Sequence, residues 1–151
     1  MKYRHRRIDT VSDRDYVLER HCRINYACDC PWKRKMPYAA YREEWFSLHN
    51  QITAFYAYFE QTVGDNRTIA DIIESENGDT IGYIWAPFIE DAESGFSFAN
   101  VQDVYVEEAY RHQGIAMALL AYAEQNARHH GAEVIRSGTG CENTGSIKLH
   151  E

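Results

Sequence analysis

The stretch from Asp103 to Ala116, DVYVEEAYRHQGIA, decides how this sequence folds. It opens by completing an alternating segment, which is typical of a β-strand. The residues RHQG then lead directly into an alanine- and leucine-rich segment that predicts a helix from about Gly114 to His130. The apolar side chains of this helix recur on one stripe: Ile115, Leu119, Tyr122, Ala123 and Ala127. A strand that passes through a short loop into a helix presents the first free N–H groups of that helix beyond the strand end. The junction therefore predicts an anion-binding site.

Three residues in this junction suit a phosphate group. Gly114 lets a ligand approach the backbone, Ala116 keeps the first helical turn narrow, and Arg111 adds a full positive charge. Together with the partial positive charge of the helix N-terminus, they suit a pyrophosphate. The residues alone leave a second interpretation open, in which Gly114 is a turn glycine and Arg111 a solvated charge.

The N-terminal part of the chain predicts one strand and two helices. Residues 3–9 suit a basic edge strand, with a small anion-binding patch as the alternative. Ser12, with Asp15 three residues later, is typical of a helix start, and this helix runs to about residue 28, before the two prolines of CDCPWKRKMPY. A second helix carries an apolar stripe at steps of three and four, formed by Trp45, Leu48, Ile52, Phe55, Phe59 and Val63.

From residue 67 onward the apolar period changes to two, which predicts strands. The segments RTIADIIES and DTIGYIWAPFI flank Asn77-Gly78, in which both residues tolerate positive φ, so they predict an antiparallel hairpin. Residues 96–106 predict a fourth strand, AEVIRSG a fifth, and ENTGSIKLHE the start of a last helix. We expect one α/β (α+β) domain spanning residues 1–151, with a mixed, mostly antiparallel central sheet flanked by helices.

Composition narrows the possible partners and the compartment. The chain has 16 Lys and Arg against 23 Asp and Glu, a net charge of -7, which argues against nucleic-acid and anionic-membrane binding. No apolar run approaches the roughly 20 residues of a membrane helix, and no signal-peptide pattern follows the basic start. We expect a cytoplasmic protein. Its four cysteines are expected to be free thiols rather than metal ligands: Cys22, Cys28, Cys30 and Cys141.

Taken together, VYVEEAYRHQGIAMALL resembles the acetyl-coenzyme A motif of the GNAT superfamily of N-acetyltransferases. That motif reads Gln or Arg, two residues, Gly, one residue, Gly or Ala, and here it spans Arg111 to Ala116. The Val-Tyr-Val of residues 104–106 is similar to the end of the family's preceding strand. CENTGSIKLHE resembles the second conserved block, and its LHE triplet is similar to the phosphinothricin acetyltransferase branch. With the order of elements, the resemblance covers nearly the whole chain.

The resemblance implies transfer of an acetyl group from acetyl-CoA to a primary amine of a small molecule or peptide, by direct attack of the amine. It implies that the main chain of the strand end contacts the pantetheine arm and that the loop amides contact the pyrophosphate. The implied acetyl-CoA-binding residues are Val104, Tyr105, Val106, Arg111, His112, Gln113, Gly114, Ile115, Ala116 and Asn143.

The proton-transfer groups follow from the resemblance less directly. Where many family members carry a Tyr as the acid for the thiolate, this chain has His150, whose alternative role is capping or packing. Asp103 is the first candidate for the base, with Glu107 and Glu43 behind it.

The acceptor pocket of the family lies among the first two helices and the loop between the third and fourth strands. There the sequence supplies six aromatic and acidic residues: Tyr38, Tyr41, Trp32, Glu43, Asp91 and Glu93. They suit a cationic amine flanked by aromatic rings, and they equally suit a helix pair that packs its tyrosines at a surface.

The sequence ends at Glu151, before the last strands of the family, so it is expected to be a C-terminally truncated version of the fold. The fifth strand would then have an exposed edge, so we expect either that a homodimer forms through it or that the fifth strand and the helix at 143–151 are poorly ordered. The alternative to an enzyme is a non-catalytic acyl-CoA-binding or interaction module of the same fold.

Overall fold

The fold is known from a computed structural model of the chain, and this structure describes residues 2–137. These residues fall into two compact units, residues 2–8 with 62–137 (the sheet unit) and residues 9–61 (the helical unit). Strands and helices follow one another in this order: β1 (Tyr3–Arg7), α1 (Arg14–Cys28), α2 (Pro31–Arg34), α3 (Tyr38–Phe46), α4 (His49–Val63), β2 (Ile69–Ser75), β3 (Thr80–Ala86), β4 (Phe88–Glu90), β5 (Ser97–Val101), β6 (Asp103–Val106), α5 (Ile115–His129) and β7 (Val134–Ser137).

The strands of the sheet unit form two hydrogen-bonded groups. The first has the order β1-β2-β3-β6, and every pair in it is antiparallel. The second has the order β4-β5-β7, in which β4 and β5 are antiparallel and β5 and β7 are parallel. This confirms the predicted α/β fold with a mixed, mostly antiparallel sheet.

Two of the predicted strands are each divided in two, which corrects the sequence analysis. The predicted strand DTIGYIWAPFI, residues 79–89, breaks at Pro87, which has no N–H to donate, and continues as β4. The strand predicted over residues 96–106 breaks at Gln102. The N–H of Gln102 donates to Trp85 at 2.9 Å, and Asp103 is also the register partner of Trp85. Two residues therefore face one, which is a β-bulge, and the chain passes from one group of strands to the other.

The hairpin predicted at Asn77-Gly78 is confirmed, since β2 and β3 pair antiparallel on either side of it. Its turn differs from the expected one. Gly78 has a φ of 86°, but Asn77 keeps a negative φ, and the N–H of Gly78 donates to Ser75 at 3.0 Å. One glycine in the left-handed region is therefore sufficient to reverse the chain here.

The core of the sheet unit forms where α5 packs on the strands. The apolar stripe of α5 predicted from the sequence is confirmed, because Ile115, Leu119, Ala123 and Ala127 are buried. Gly131 follows the end of this helix with a φ of 93°. The stripe packs against isoleucine, alanine and valine side chains of the sheet: Ile69, Ile73, Ile81, Ile84, Ala86, Ala99 and Val106. Each fully buried side chain of Leu or Ile size contributes about 1.5–3 kcal/mol to folding.

The basic first strand lies at the edge of its sheet, as predicted. Arg4 and Arg6 both pair with Glu74 on the neighbouring strand, at 3.6 and 3.3 Å. His5 lies 2.9 Å from the buried carboxylate of Asp71. The basic side chains of β1 are therefore matched by acidic residues of β2, which favours the edge-strand interpretation over a free anion-binding patch.

The helical unit starts differently from the prediction. The N-cap of α1 is Asp13, not Ser12. The carboxylate of Asp9 accepts the N–H groups of Val11 and Ser12 at 2.9 Å each, and the N–H of Asp9 donates to Asp13 at 2.7 Å. This turn occupies the polar groups ahead of the helix, so the predicted pair of Ser12 and Asp15 does not cap it.

The apolar stripe predicted for one helix is shared by two. α3 ends at Phe46 and α4 starts at His49, because the hydroxyl of Ser47 donates to the carbonyl of Glu44 at 2.6 Å and closes the helix. Leu48, in this break, is 49% exposed. Another short helix, α2, starts at Pro31, where a missing N–H has no cost. The described chain thus has four helices before β2 where two were expected.

Gly82 of β3 is expected to be irreplaceable for the pairing of β6. A Cβ at this position would lie 2.0 Å from the carbonyl oxygen of Tyr105, so the two backbones would have to separate. We expect Gly82→Ala to lower the free energy of unfolding by about 3 kcal/mol, the upper end of overpacking costs. Urea denaturation measures the loss, and hydrogen exchange at Tyr105 and Glu107 locates it.

Gly78→Ala is the matched control, because no atom lies within 4 Å of its added Cβ and only the positive φ is strained. It should leave the exchange of Tyr105 and Glu107 unchanged. Equal protection of these two amides in both variants would contradict the role assigned to Gly82.

Candidate active site

Strand β6 turns one side of its backbone towards β3 and the other side away. The N–H of Glu107, just after β6, donates to β3 at 2.7 Å. In an antiparallel ladder the main-chain groups of alternate residues face the partner strand, so those of Tyr105 also face β3. The main-chain groups of Val104 and Val106 consequently point to the opposite side of the strand. These are the two residues that the sequence predicts to contact a pantetheine arm.

The outer side of β6 lies where two successive strands, β5 and β6, pair with different neighbours. β5 pairs with β7 as far as Val101 and Ser137, whereas β6, two residues later, pairs with β3. Over residues 2–137, no strand pairs with the outer side of β6. An extended ligand could therefore lie along this edge and hydrogen-bond to Val104 and Val106 as another strand would.

Arg111 is placed by the strand that precedes it. Its Nε donates to the carbonyl of Val106 at 2.8 Å, and its guanidinium carbon lies 5.5 Å from the ring centre of Tyr105. The side chain remains exposed. Arg111 is therefore held at the end of β6 with charged nitrogens available to a ligand, rather than being a fully solvated charge.

The loop before α5 has an unusual backbone. Within the described chain His112 is the one non-glycine residue with positive φ, at 64°, and Gly114 follows with a φ of 80°. Left-handed backbone is costly for residues other than glycine and is found preferentially at functional sites. No described atom lies within 4 Å of a Cβ added at Gly114, so space beside this residue is open.

The amides of this loop are the groups that the sequence predicts to bind an anion. The first hydrogen bond of α5 runs from the N–H of Ala118 to Gly114 at 3.0 Å. Among the hydrogen bonds between described residues, none is donated by the main-chain N–H groups of residues 112–117. Six successive donors at a helix N-terminus suit a phosphate or pyrophosphate, because the helix dipole adds to their partial charge.

Asp103, the first candidate for the base, is buried with 2% of its surface exposed. Its Oδ2 accepts a hydrogen bond of 2.7 Å from the hydroxyl of Tyr83, which is fully buried on β3. The ring of Tyr83 stacks on Tyr105 at 6.3 Å between ring centres. Sequence analysis missed Tyr83, although its place in the alternation Tyr83-Ile84-Trp85 puts it on the same sheet face as Trp85.

The other candidates for proton transfer differ in exposure and in the element that carries them. Glu107 is half-buried and directly follows β6, whereas Glu43 is exposed on α3 of the helical unit. His150 and Asn143 lie outside the described residues, as do Cys141 and the predicted last helix.

The residues expected around the acceptor are divided between the two units. Asp91 and Glu93 belong to the turn between β4 and β5, where Asp91 accepts the N–H of Glu93 at 2.9 Å. In the helical unit, Trp32 is 71% exposed, while the hydroxyl of buried Tyr41 donates to Asp29 at 2.9 Å. Burial raises the pKa of Tyr38 above its ordinary value.

The described residues also bear on metal binding, membrane-spanning helices and disulfides. Within residues 2–137, no cluster of three or more His, Cys, Asp or Glu side chains has an arrangement that could hold a metal ion. None of the helices described has the length and apolar character needed to cross a membrane. Cys22, Cys28 and Cys30, the cysteines in this range, form no disulfide with one another.

Within the described residues, an unpaired strand edge is thus followed by a helix N-terminus whose first amides donate no hydrogen bond, and this arrangement suits an extended ligand that carries phosphate groups. The family model of the acetyltransferase (GNAT) family matches residues 30–151. The chain belongs to the GNAT acetyltransferase family. No curated protein sequence matches it.

Solved structures share its fold at low sequence identity. A predicted acetyltransferase from Clostridium acetobutylicum, solved with acetyl-CoA, is 16% identical with a TM-score of 0.67, over 99% of this chain and 88% of that one. The aminoglycoside antibiotic 6'-N-acetyltransferase from Acinetobacter baumannii is 15% identical with a TM-score of 0.64, over 99% and 87%. Glucosamine-6-phosphate N-acetyltransferase from Arabidopsis thaliana is 11% identical with a TM-score of 0.61, over 100% and 92%.

The hydroxyl of Tyr83 is expected to stabilise the protein through Asp103. Tyr83→Phe removes the donor of the 2.7 Å hydrogen bond and leaves a buried carboxylate oxygen without it. We expect the free energy of unfolding to fall by about 1–3 kcal/mol in urea denaturation. Tyr105→Phe is the matched control, since it deletes the same atom from the stacked, half-buried neighbour. Similar losses in both variants would mean that the Tyr83 hydroxyl makes no specific contribution.

Proposed function

We propose that this GNAT family member is an acetyl-CoA-dependent N-acetyltransferase that acetylates a primary amine of a small molecule or peptide. Two neighbouring features carry the proposal. The main-chain groups of Val104 and Val106 point outward from β6, and the six main-chain N–H groups of residues 112–117 donate no hydrogen bond to any described residue. The first suits the amide-rich pantetheine arm and the second suits the pyrophosphate. Both lie in the sheet unit, on successive segments of one chain.

The binding residues would act mainly through the backbone. Val104 and Val106 would hold the pantetheine arm as a neighbouring strand would, and the amides of His112 to Ala116 would surround the pyrophosphate. Arg111 would add a charge-assisted hydrogen bond from a side chain already fixed to Val106. Asn143 would contact the pantetheine region, as the family resemblance implies, and it is the last residue of the proposed binding set.

Acetyl-CoA would supply the thioester from which the acetyl group is transferred. In the proposed reaction the amine nitrogen bonds to the acetyl carbon, the carbon–sulfur bond breaks, and the thiol of coenzyme A leaves. Asp103 would accept the proton of the ammonium group, with Tyr83 holding its Oδ2 in place. His150, in the LHE block similar to the phosphinothricin acetyltransferase branch, would return a proton to the sulfur.

The proposed acceptor class is supported by the proteins that share the fold. Two of them are named for acetyl transfer to aminoglycosides and to glucosamine-6-phosphate. The net charge of -7 also favours a cationic acceptor over an anionic one.

Three further parts of the proposal stay predictions. We propose a cytoplasmic protein and a single functional domain over residues 1–151. We also propose a homodimer through the outer edge of β7, because β7 is the edge of its group of strands within the described residues and Val134 is exposed there.

Arg111→Ala should weaken the binding of coenzyme A without unfolding the protein. Loss of a charge-assisted hydrogen bond costs about 1–3 kcal/mol, which calorimetry would detect as a roughly 5- to 150-fold higher Kd. Arg128→Ala is the control, since it removes the same charge from an exposed residue in the last turn of α5, far along the chain from the loop. A Kd of Arg111→Ala equal to that of Arg128→Ala would exclude the proposed pyrophosphate site.

Turnover on a panel of amines tests the transfer reaction, with thiol release from acetyl-CoA as the signal. Asp103→Asn is expected to lower kcat by about 10²–10⁴-fold and to change KM less, because a general base acts mainly in the transition state. Asp79→Asn, an exposed hairpin residue, is the control.

A kcat of Asp103→Asn within about twofold of the parent, or about 0.4 kcal/mol in barrier, would exclude Asp103 as the base. Thermal stabilisation by coenzyme A without turnover on any amine would instead indicate a non-catalytic acyl-CoA-binding module.

A further inference from the structure

The helical unit contains a cleft that the site described above does not use. All four helices of the unit contribute to it, and its volume is about 450 Å³. This volume falls within the range of ligand pockets, roughly 300–1,000 Å³. The cleft, called the helical cleft below, is lined by Asn25, Cys28, Asp29, Lys33, Tyr41, Glu44, Trp45, Leu48 and Gln51.

The charges that line the helical cleft do not cancel. Lys33 donates to Glu44 at 2.7 Å, so these two neutralise each other. Asp29 accepts the N–H of Cys30 at 2.7 Å and the hydroxyl of Tyr41 at 2.9 Å. The Cys30 N–H, followed by Tyr41, lowers the pKa of the Asp29 carboxyl below its ordinary value. One ammonium and two carboxylates therefore leave the lining with one negative charge.

Apart from Cys28 and Leu48, the neutral residues of the cleft are aromatic rings and amides. Tyr41 and Trp45 are each 6% exposed, so their rings are fixed by packing before any ligand arrives. Asn25 and Gln51 bring side-chain amides, each of which offers donors and an acceptor. Aromatic rings beside one carboxylate favour a cation, and amides favour a ligand with hydroxyl groups.

We propose that the helical cleft binds a hydroxylated amine with a single positive charge, as in an amino sugar. The ammonium group would lie against Asp29, the ring would lie on Trp45, and the hydroxyl groups would reach Asn25 and Gln51. A polyamine fits less well, because its several cations would face a single uncompensated carboxylate. This binding site lies within the helical unit, and its occupation does not depend on the proposed transfer reaction.

Binding to the full chain without acetyl-CoA tests the cleft separately from the transfer reaction. The probe is glucosamine, and its matched ligands are glucose, which lacks the charge, and spermidine, which lacks the hydroxyl groups. Tryptophan fluorescence follows the titration in a Trp32→Phe background, which removes the exposed indole. We expect saturable binding of glucosamine, with at least tenfold weaker binding of glucose and of spermidine.

Asp29→Asn should raise the Kd of glucosamine at least tenfold. Asp15→Asn, which makes the same change on an exposed residue of α1 outside the cleft, should leave it within twofold. Glu44→Gln is a second variant, because it also removes one negative charge from the lining and should weaken glucosamine binding in the same direction. Thermal unfolding of each variant verifies that it is folded.

Three results would overturn the inference: equal Kd values for Asp29→Asn and Asp15→Asn, equal binding of glucose and glucosamine, or tighter binding of spermidine. Failure of the proposed function gives a different result. Binding of glucosamine that depends on Asp29, without release of thiol from acetyl-CoA on any amine of the panel, would support the cleft and contradict the proposed transfer reaction.

Discussion

The hydrogen bond from the N–H of Gln102 to the carbonyl of Trp85 is the constraint on which the sheet unit depends. It places two residues opposite one, so the strand stops pairing with β7 and starts pairing with β3. This change of partner leaves the outer edge of β6 without a strand over the described residues. It also determines which residues have outward main-chain groups, and these are Val104 and Val106.

A buried polar pair lies beside the same bulge. The carboxylate of Asp103 and the hydroxyl of Tyr83 are both almost completely buried, and a buried carboxylate is costly unless it is hydrogen-bonded. Their hydrogen bond offsets part of this cost and fixes the carboxylate in one orientation. The burial and fixed orientation of this carboxylate support the proposal that Asp103 acts as the base.

The two units use different physical means to form their sites. In the sheet unit, main-chain groups are presented by strand register and by the left-handed backbone of His112 and Gly114. In the helical unit, side chains form the cleft, and the position of its net negative charge depends on which carboxylate Lys33 pairs with. Backbone groups suit a ligand shared by a whole family, whereas side chains can differ from one acceptor to another.

The sequence by itself determined the hairpin at Gly78, the edge position of β1, the apolar stripe of α5 and the motif from Arg111 to Ala116, because each depends on residues close together in the chain. Only the tertiary structure decided the breaks at Pro87 and Gln102, the hydrogen bond between Tyr83 and Asp103, and the cleft around Asp29. The physical reason is that bulges, buried polar pairs and clefts arise from contacts between distant residues. Alternation predicts that 96–106 is extended, but it does not specify which neighbour each half will pair with.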